Sequence, residues 1–227
     1  MPFVASDDHV RIYYQQRGSG PAVLLSHGFR ASSVIWRAQM DALSDRYHVI
    51  AWDMRGHGRS DSPSDAALYS HQASVADMVA IMRDCGVDRA AIGGLSLGGF
   101  ISLAFYLAHP EKTTALLLFD TGPAKREAQR AQVATPGSQP SGWEHARRGM
   151  LERSDHEIIA SLSSIRVPVL VLCGALDERF LTATDYLAAT ISGAEKVILQ
   201  GAGHVSNLDQ PHAFNAAVRS FLDRVIA

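Results

Sequence analysis

The chain has 227 residues, of which 47% are apolar and 19% charged, and this composition excludes an intrinsically disordered protein. Lys and Arg total 21 and Asp and Glu total 23, so the net charge of −2 gives no electrostatic basis for binding nucleic acid. No apolar run reaches the roughly 18–20 residues that span a bilayer, and residues 1–8 lack the regions of a signal peptide. We therefore expect a soluble, cytoplasmic, single-domain protein.

Strand-like and helix-like patterns alternate along the chain. Short β-branched or apolar runs predict strands over residues 10–16, 22–26, 47–52, 89–95, 114–119, 167–173 and 196–199. Apolar residues at helical spacing predict helices around residues 36–43, 75–82, 97–107 and 214–222. This alternation predicts an α/β fold with a mostly parallel, twisted sheet that helices flank on both faces.

One segment, residues 123–164, interrupts this alternation. Its turn-rich stretch 135–142 (TPGSQPSG) precedes a predicted helix near 143–151. Residues 154–157 (SDHE) then form a capping-box pattern that opens a further helix. We therefore predict a core formed by residues 1–122 and 165–227, with a helical insertion between two core strands.

The motif with the clearest chemical meaning is residues 94–98, which read GLSLG and fit the pattern G-x-S-x-G. It lies between a predicted strand and a predicted helix, the context that a nucleophile elbow requires. A sharp strand-to-helix turn strains the serine backbone, and small flanking residues let the strand and helix approach. The helix N-terminus also places a positive dipole beside the hydroxyl. Ser96 is therefore the predicted nucleophile.

With four further segments, the sequence resembles the α/β-hydrolase fold superfamily over essentially the whole chain. These segments are 26–29 (SHGF), 53–60 (DMRGHGRS), 173–177 (CGALD) and 201–204 (GAGH). They resemble, in that order, the family's oxyanion-hole loop, its D-x-R-G-x-G-x-S turn, the strand end that presents the catalytic acid and the loop that presents the histidine. Their order along the chain is that of the family.

A serine hydroxyl needs a base, and a base needs a carboxylate to fix its tautomer. His204 follows the last predicted strand on a glycine-rich loop and is the predicted base. Asp177 follows strand 167–173 and is the predicted acid, which gives the chain order of this fold. Asp120, at the end of strand 114–119, is an alternative, since some members place the acid there. Asp53 also ends a strand, but the resemblance gives it a role in shaping its turn.

The resemblance also implies that the backbone N–H groups of Phe29 and Leu97 stabilise the oxyanion. Haloalkane dehalogenases and epoxide hydrolases of this superfamily need Asp at the nucleophile position, so Ser96 argues against both activities. The sequence contains no metal-binding constellation, no dinucleotide fingerprint and no phosphate loop. We therefore expect neither a metal nor a cofactor.

These residues predict a cofactor-independent serine hydrolase that cleaves a small-molecule ester or lactone through an acyl-enzyme. Residues 204–211 (HVSNLDQP) resemble the corresponding stretch of 3-oxoadipate enol-lactonases. Hydrolysis of C–C bonds and cofactor-free perhydrolysis on the same triad are alternatives, as is a small-molecule receptor built on this fold. Lidded members are commonly longer than this chain, so we predict that 123–164 is a reduced cap over an open site, which favours small or bulky soluble esters.

Overall fold

Eight strands form one sheet in the order β1-β2-β4-β3-β5-β6-β7-β8 in the computed structural model, which describes residues 3–122, 142–151 and 156–226. The strands are β1 (Phe3–Ala5), β2 (Arg11–Arg17), β3 (Ala22–Ser26), β4 (His48–Trp52), β5 (Ala90–Leu95), β6 (Thr113–Phe119), β7 (Val169–Gly174) and β8 (Glu195–Leu199). The pairs β1–β2 and β2–β4 are antiparallel, and all the other pairs are parallel. The carboxyl ends of the parallel strands therefore meet at one edge of the sheet.

Helices cover both faces of this sheet. They are α1 (Arg37–Leu43), α2 (His71–Asp84), α3 (Leu97–Ala108), α4 (Gly142–Ala146), α5 (His156–Ser161), α6 (Glu178–Thr190), α7 (Ser206–Asp209) and α8 (Pro211–Val225). The α2 and α3 helices bury their apolar residues on one face, and α1 and α8 bury theirs on the other. On that second face, Trp36 of the segment before α1 lies 5.9 Å from the Phe119 ring and 6.3 Å from the Phe214 ring of α8.

The predicted α/β architecture is confirmed, and each predicted strand overlaps an observed one. Three elements, β1, α6 and α7, lie outside the predicted set. The β1 strand has only three residues and pairs along the sheet edge with β2. The buried face of α6 includes the small or polar residues Ala183 and Thr184, which weaken its apolar periodicity. No helix in the described part of the chain is long and apolar enough to cross a membrane.

The described parts of the predicted cap pack directly on the core. The predicted helix near 143–151 consists of α4 and a π-helical turn, Arg147–Leu151. Met150 and Ile158 are buried in the same apolar cluster as α2 and α3, and His71 Nε2 lies 2.6 Å from the Met150 carbonyl oxygen. The α5 helix begins at His156, whereas residues 123–141, with most of the turn-rich stretch, and capping residues 154 and 155 lie outside the described residues. The extent of the cap stays a prediction.

A buried ion-pair network connects the amino-terminal segment to the turn after β4. The Arg55 guanidinium is fully buried and contacts Asp77 at 2.6 Å and Asp8 at 2.7 Å. It also donates a 2.6 Å hydrogen bond to the Leu68 carbonyl. Burial alone would lower the pKa of Arg55, but the hydrogen bonds that it donates to the two carboxylates raise it above its ordinary value. Arg55 therefore stays charged and links three distant segments.

Removing this guanidinium should strongly destabilise the fold. The change Arg55→Met leaves the Asp77 carboxylate buried without its cation, and we expect the free energy of unfolding to fall by about 3–5 kcal/mol. Arg11→Met is the matched control, because the Arg11–Asp61 pair is exposed and contributes little. Urea unfolding of both variants tests this. An unchanged midpoint for Arg55→Met would contradict the role of the network.

Candidate active site

Ser96 lies in a strained turn between β5 and α3, as the elbow motif predicts. Its φ of 56° and ψ of −114° fall where residues with side chains rarely lie, and its backbone N–H donates to the Phe119 carbonyl at 2.9 Å. A Cβ atom added at Gly94 would lie 2.4 Å from the Gly98 carbonyl carbon, and one added at Gly98 would lie 2.2 Å from the Ser26 carbonyl oxygen. Both glycines are therefore required by close backbone approach.

Asp177 and His204 form a hydrogen-bonded pair at the same edge of the sheet. His204 Nδ1 lies 2.7 Å from Asp177 Oδ2. The Asp177 side chain is 6% exposed and that of His204 is 40% exposed, so the acid is buried and the imidazole reaches the surface. The Phe180 ring stacks on the imidazole, with centroids 4.8 Å apart and an interplanar angle of 21°. Phe180 is not among the predicted site residues, although it lies about one helical turn after Asp177 in the sequence.

The structure does not join Ser96 to this pair directly. Within the described residues, no hydrogen bond connects the Ser96 hydroxyl to His204. Hydrogen bonds between a nucleophile and its base are often long in ligand-free sites and tighten when substrate binds. Ser96, Asp177 and His204 nevertheless all follow carboxyl ends of parallel strands, β5, β7 and β8, so they lie along one edge of the sheet.

The alternative acid, Asp120, is buried beside the pair, and its two carboxylate oxygens accept hydrogen bonds from groups other than the imidazole. Its Oδ1 accepts a 2.8 Å hydrogen bond from the Gly174 N–H, and its Oδ2 accepts one from the Ser206 hydroxyl. Burial raises the pKa of Asp120 to about 6. Asp177, and not Asp120, therefore accepts the hydrogen bond from His204.

The loop after β3 contains Phe29, one of the two predicted oxyanion donors. A Cβ atom added at Gly28 would lie 3.5 Å from the Ser96 Cβ, so this loop passes beside the elbow. The other predicted donor, Leu97, is the first residue of α3. Its backbone N–H therefore has no carbonyl partner within the helix.

Hydrogen bonds of the buried side chains of His27 and Asp53 hold this loop in place. His27 Nδ1 donates to the Gly28 carbonyl at 2.6 Å, and its Nε2 accepts from the Met54 N–H at 3.0 Å, which defines a neutral tautomer. Burial is the main cause that lowers the pKa of His27 to about 3, and the charge of the neighbouring His57 is the second cause. Asp53 Oδ1 accepts from the Ser33 N–H at 2.6 Å, which supports its expected role in shaping the turns.

Aromatic side chains connect this loop to the described part of the cap. The Phe29 ring lies 5.7 Å from the His57 ring and 6.3 Å from the Trp143 ring of α4. The Arg30 guanidinium lies 4.5 Å from the centre of the Trp143 ring. The α4 helix therefore covers the loop that carries Phe29.

Three side chains that could ligate a metal lie close together at this site, and Asp177 is one of them. One ligand atom from each of Asp120, Cys173 and Asp177 lies within 4.8 Å of the others. Both Asp120 oxygens and Asp177 Oδ2 already accept hydrogen bonds. Burial raises the pKa of the Cys173 thiol to about 12, so without a metal ion the sulfur stays protonated near neutral pH. This donor set fits a hydrogen-bonded cluster better than a metal site.

Fold and site together define a member of a known family. Residues 21–143 match the family model described as the alpha/beta hydrolase fold, and the chain belongs to this family. It is 27% identical to 3-oxoadipate enol-lactonase 2 of Acinetobacter baylyi, over 90% of this chain and 89% of that protein. It is 30% identical to a putative carbamate hydrolase of Caulobacter sp., over 93% of this chain and 95% of that protein.

One solved structure with a similar fold is that of an esterase. The thermophilic esterase of Thermogutta terrifontis superposes with a TM-score of 0.87 at 25% identity, over 99% of this chain and 98% of the esterase. These three relatives carry the names of hydrolases that act on different substrates.

Proposed function

We propose that this chain is a cofactor-independent serine hydrolase that cleaves small carboxylic esters or lactones through an acyl-enzyme on Ser96. The 2.7 Å hydrogen bond between His204 and Asp177, at the sheet edge that also carries the strained Ser96, is the observation that supports it most. The names of the enol-lactonase and esterase relatives support the choice of substrate class.

The chemistry follows from the hydrogen bonding of the imidazole. His204 Nδ1 carries the proton that it donates to Asp177, so Nε2 is left with the lone pair that accepts the Ser96 proton. The Ser96 oxygen attacks the carbonyl carbon, and the N–H groups of Phe29 and Leu97 stabilise the oxyanion. As the C–O bond to the alcohol breaks, the imidazolium returns its proton to the leaving oxygen. Water then attacks the acyl-enzyme by the same steps and releases the acid and free Ser96.

The preference for small substrates rests on the short cap predicted for residues 123–164. We expect a reduced cap to leave the site open, which favours small or bulky soluble esters over long acyl chains that need a buried tunnel. The 40% exposure of the His204 side chain also gives water access to the acyl-enzyme.

A fluorophosphonate probe and an acyl-chain series test this proposal. We expect the probe to label Ser96, identified by peptide mapping, and nitrophenyl acetate or butyrate to be cleaved with a higher kcat/KM than the decanoate. A parallel panel of small lactones, with dienones and with peroxide plus acetate, separates ester and lactone cleavage from C–C hydrolysis and perhydrolysis. A preference for long acyl chains would contradict the size argument, and ligand-induced stabilisation without turnover or labelling would indicate a receptor.

A further inference from the structure

Asp120 has an unusual backbone conformation for a residue buried in the core. Its φ is 44°, and in the described part of the chain only four non-glycine residues have a positive φ. Two of these four, Ser96 and Asp120, follow Leu95 and Phe119, which pair in the register of β5 and β6. Strained residues persist where the surrounding structure or the function holds them, so this strand end calls for an explanation of its own.

The contacts of Asp120 join the two strand ends that carry the acid and the base. Through Oδ1 it holds the N–H of Gly174, three residues before Asp177, at 2.8 Å. Through Oδ2 it holds the hydroxyl of Ser206, two residues after His204. One buried side chain therefore contacts both segments whose spacing determines the Asp177–His204 hydrogen bond.

The other side of the histidine loop is anchored independently. The Asn207 side-chain amide donates to the Ile35 carbonyl at 2.7 Å and to Gln39 Oε1 at 3.1 Å. With Asn207 fixed on the α1 side, the Ser206–Asp120 contact controls how far the loop can move away from β7.

We propose that Asp120 is a positioning residue, whose ionised carboxylate holds the loop of His204 against the strand end of Asp177. This inference rests on the proposed function, because it assigns Asp120 to the support of the same acid and base. A protonated carboxyl could not accept on both oxygens equally well, so the Ser206 contact weakens when Asp120 takes up a proton.

The titratable groups that face Asp120 make its hold on the His204 loop depend on pH. They are Cys173 from β7, Asp177 from the start of α6 and His204 from the loop after β8. Burial raises the pKa of Asp120 to about 6, and the charge of Asp177 acts in the same direction, while the hydrogen bonds from Ser206 and Gly174 act against it. Asp120 is therefore ionised above about pH 6 and neutral below it.

The variant Asp120→Asn tests this, because Asn tolerates a positive φ as Asp does and keeps the shape of the side chain. Above pH 7 we expect kcat/KM to fall by about tenfold, with KM nearly unchanged, as for other residues that orient a catalytic group. Below about pH 5 wild-type Asp120 is also neutral, so the two kcat/KM profiles should converge. A ratio of wild type to variant that stays constant with pH, or no loss of activity at all, would overturn the proposal.

The thermal midpoint gives a readout that does not need activity. Because the pKa of Asp120 is higher in the folded than in the unfolded chain, its ionisation destabilises the fold as pH rises from about 4 to above 6. Asp120→Asn should therefore unfold at a higher temperature than wild type at pH 7.5, and the difference should shrink as the pH falls below 6 and disappear below about pH 4. A lower midpoint for the variant at pH 7.5 would contradict the assigned charge state.

A labelling experiment separates failure of this inference from failure of the proposed function. If Ser96 of the wild type does not react with a fluorophosphonate, the proposed function is wrong. If Ser96 reacts at the same rate in wild type and in Asp120→Asn at pH 7.5, only the positioning role is wrong. Ser206→Ala removes one contact and keeps the carboxylate, so we expect a smaller loss of kcat/KM than for Asp120→Asn. This loss relative to wild type should likewise disappear below about pH 5.

Discussion

Replacing Ser96 by alanine is expected to lower kcat for a short-chain nitrophenyl ester by about 10⁴–10⁶-fold. The reason is that no other hydroxyl can take its place on the strained turn, where φ is 56° and the Cβ direction is fixed. Binding groups stay in place, so KM should change much less than kcat. Initial rates with active-site titration measure the effect.

Ser102→Ala is the matched control for this change. Ser102 lies on the same helix, α3, and its buried hydroxyl donates to the Gly98 carbonyl at 2.8 Å, so it contributes to local structure and carries no role in the proposed chemistry. We expect its kcat to stay within a few-fold of wild type. Residual turnover in Ser96→Ala close to that of Ser102→Ala would show that the nucleophile lies elsewhere.

Replacing Asp177 by asparagine should lower kcat by about 10⁴-fold. An asparagine amide can donate a proton to His204 Nδ1, which would move the ring proton to Nε2, the atom that must accept the proton of Ser96. The hydrogen bond of 2.7 Å would remain in geometry but with its direction reversed. Kinetics with the ester and the low-field proton resonance of the imidazole N–H report on the two consequences.

The comparison with Asp120→Asn decides between the two carboxylates. If Asp177 is the acid and Asp120 only positions the loop, the loss for Asp177→Asn exceeds that for Asp120→Asn by about a thousandfold. If the order of the two losses were reversed, Asp120 would be the acid and the assignment of Asp177 would fail. Thermal unfolding of both variants shows that each remains folded during the assay.

Much of this molecule could be predicted from its sequence because the informative patterns are local. Alternating strand and helix periodicity is enough to predict a parallel sheet. The G-x-S-x-G motif between a strand and a helix is enough to predict the elbow at Ser96. The sequence favours Asp177 over Asp120 as the acid, but the contacts that give the two carboxylates different roles could not be predicted in this way. Both follow adjacent parallel strands, β6 and β7, and the positive φ of Asp120, which directs its carboxylate to Gly174 and Ser206, has no signature in the sequence.

The contacts of Arg55 and His204 with residues distant in the sequence could not be predicted either. The turn motif at 53–60 includes Arg55 but not its partners Asp8 and Asp77, which lie on other segments of the chain. The ring of Phe180 on His204 depends on how α6 leaves the sheet, and α6 itself was not predicted because its buried face is partly small and polar. Tertiary packing, rather than local preference, sets both contacts.

The packing of Trp36 against α8 has a consequence for the order in which the chain is made. Trp36 is fully buried, but one of the rings that cover it, Phe214, belongs to a helix that lies far from Trp36 along the chain. During synthesis at ordinary ribosomal rates of about 5–20 residues per second, this side of Trp36 stays exposed until α8 emerges. The nascent protein therefore carries a hydrophobic face until α8 covers it. A chain interrupted before α8 should be a substrate for chaperones or proteases and not merely an inactive enzyme.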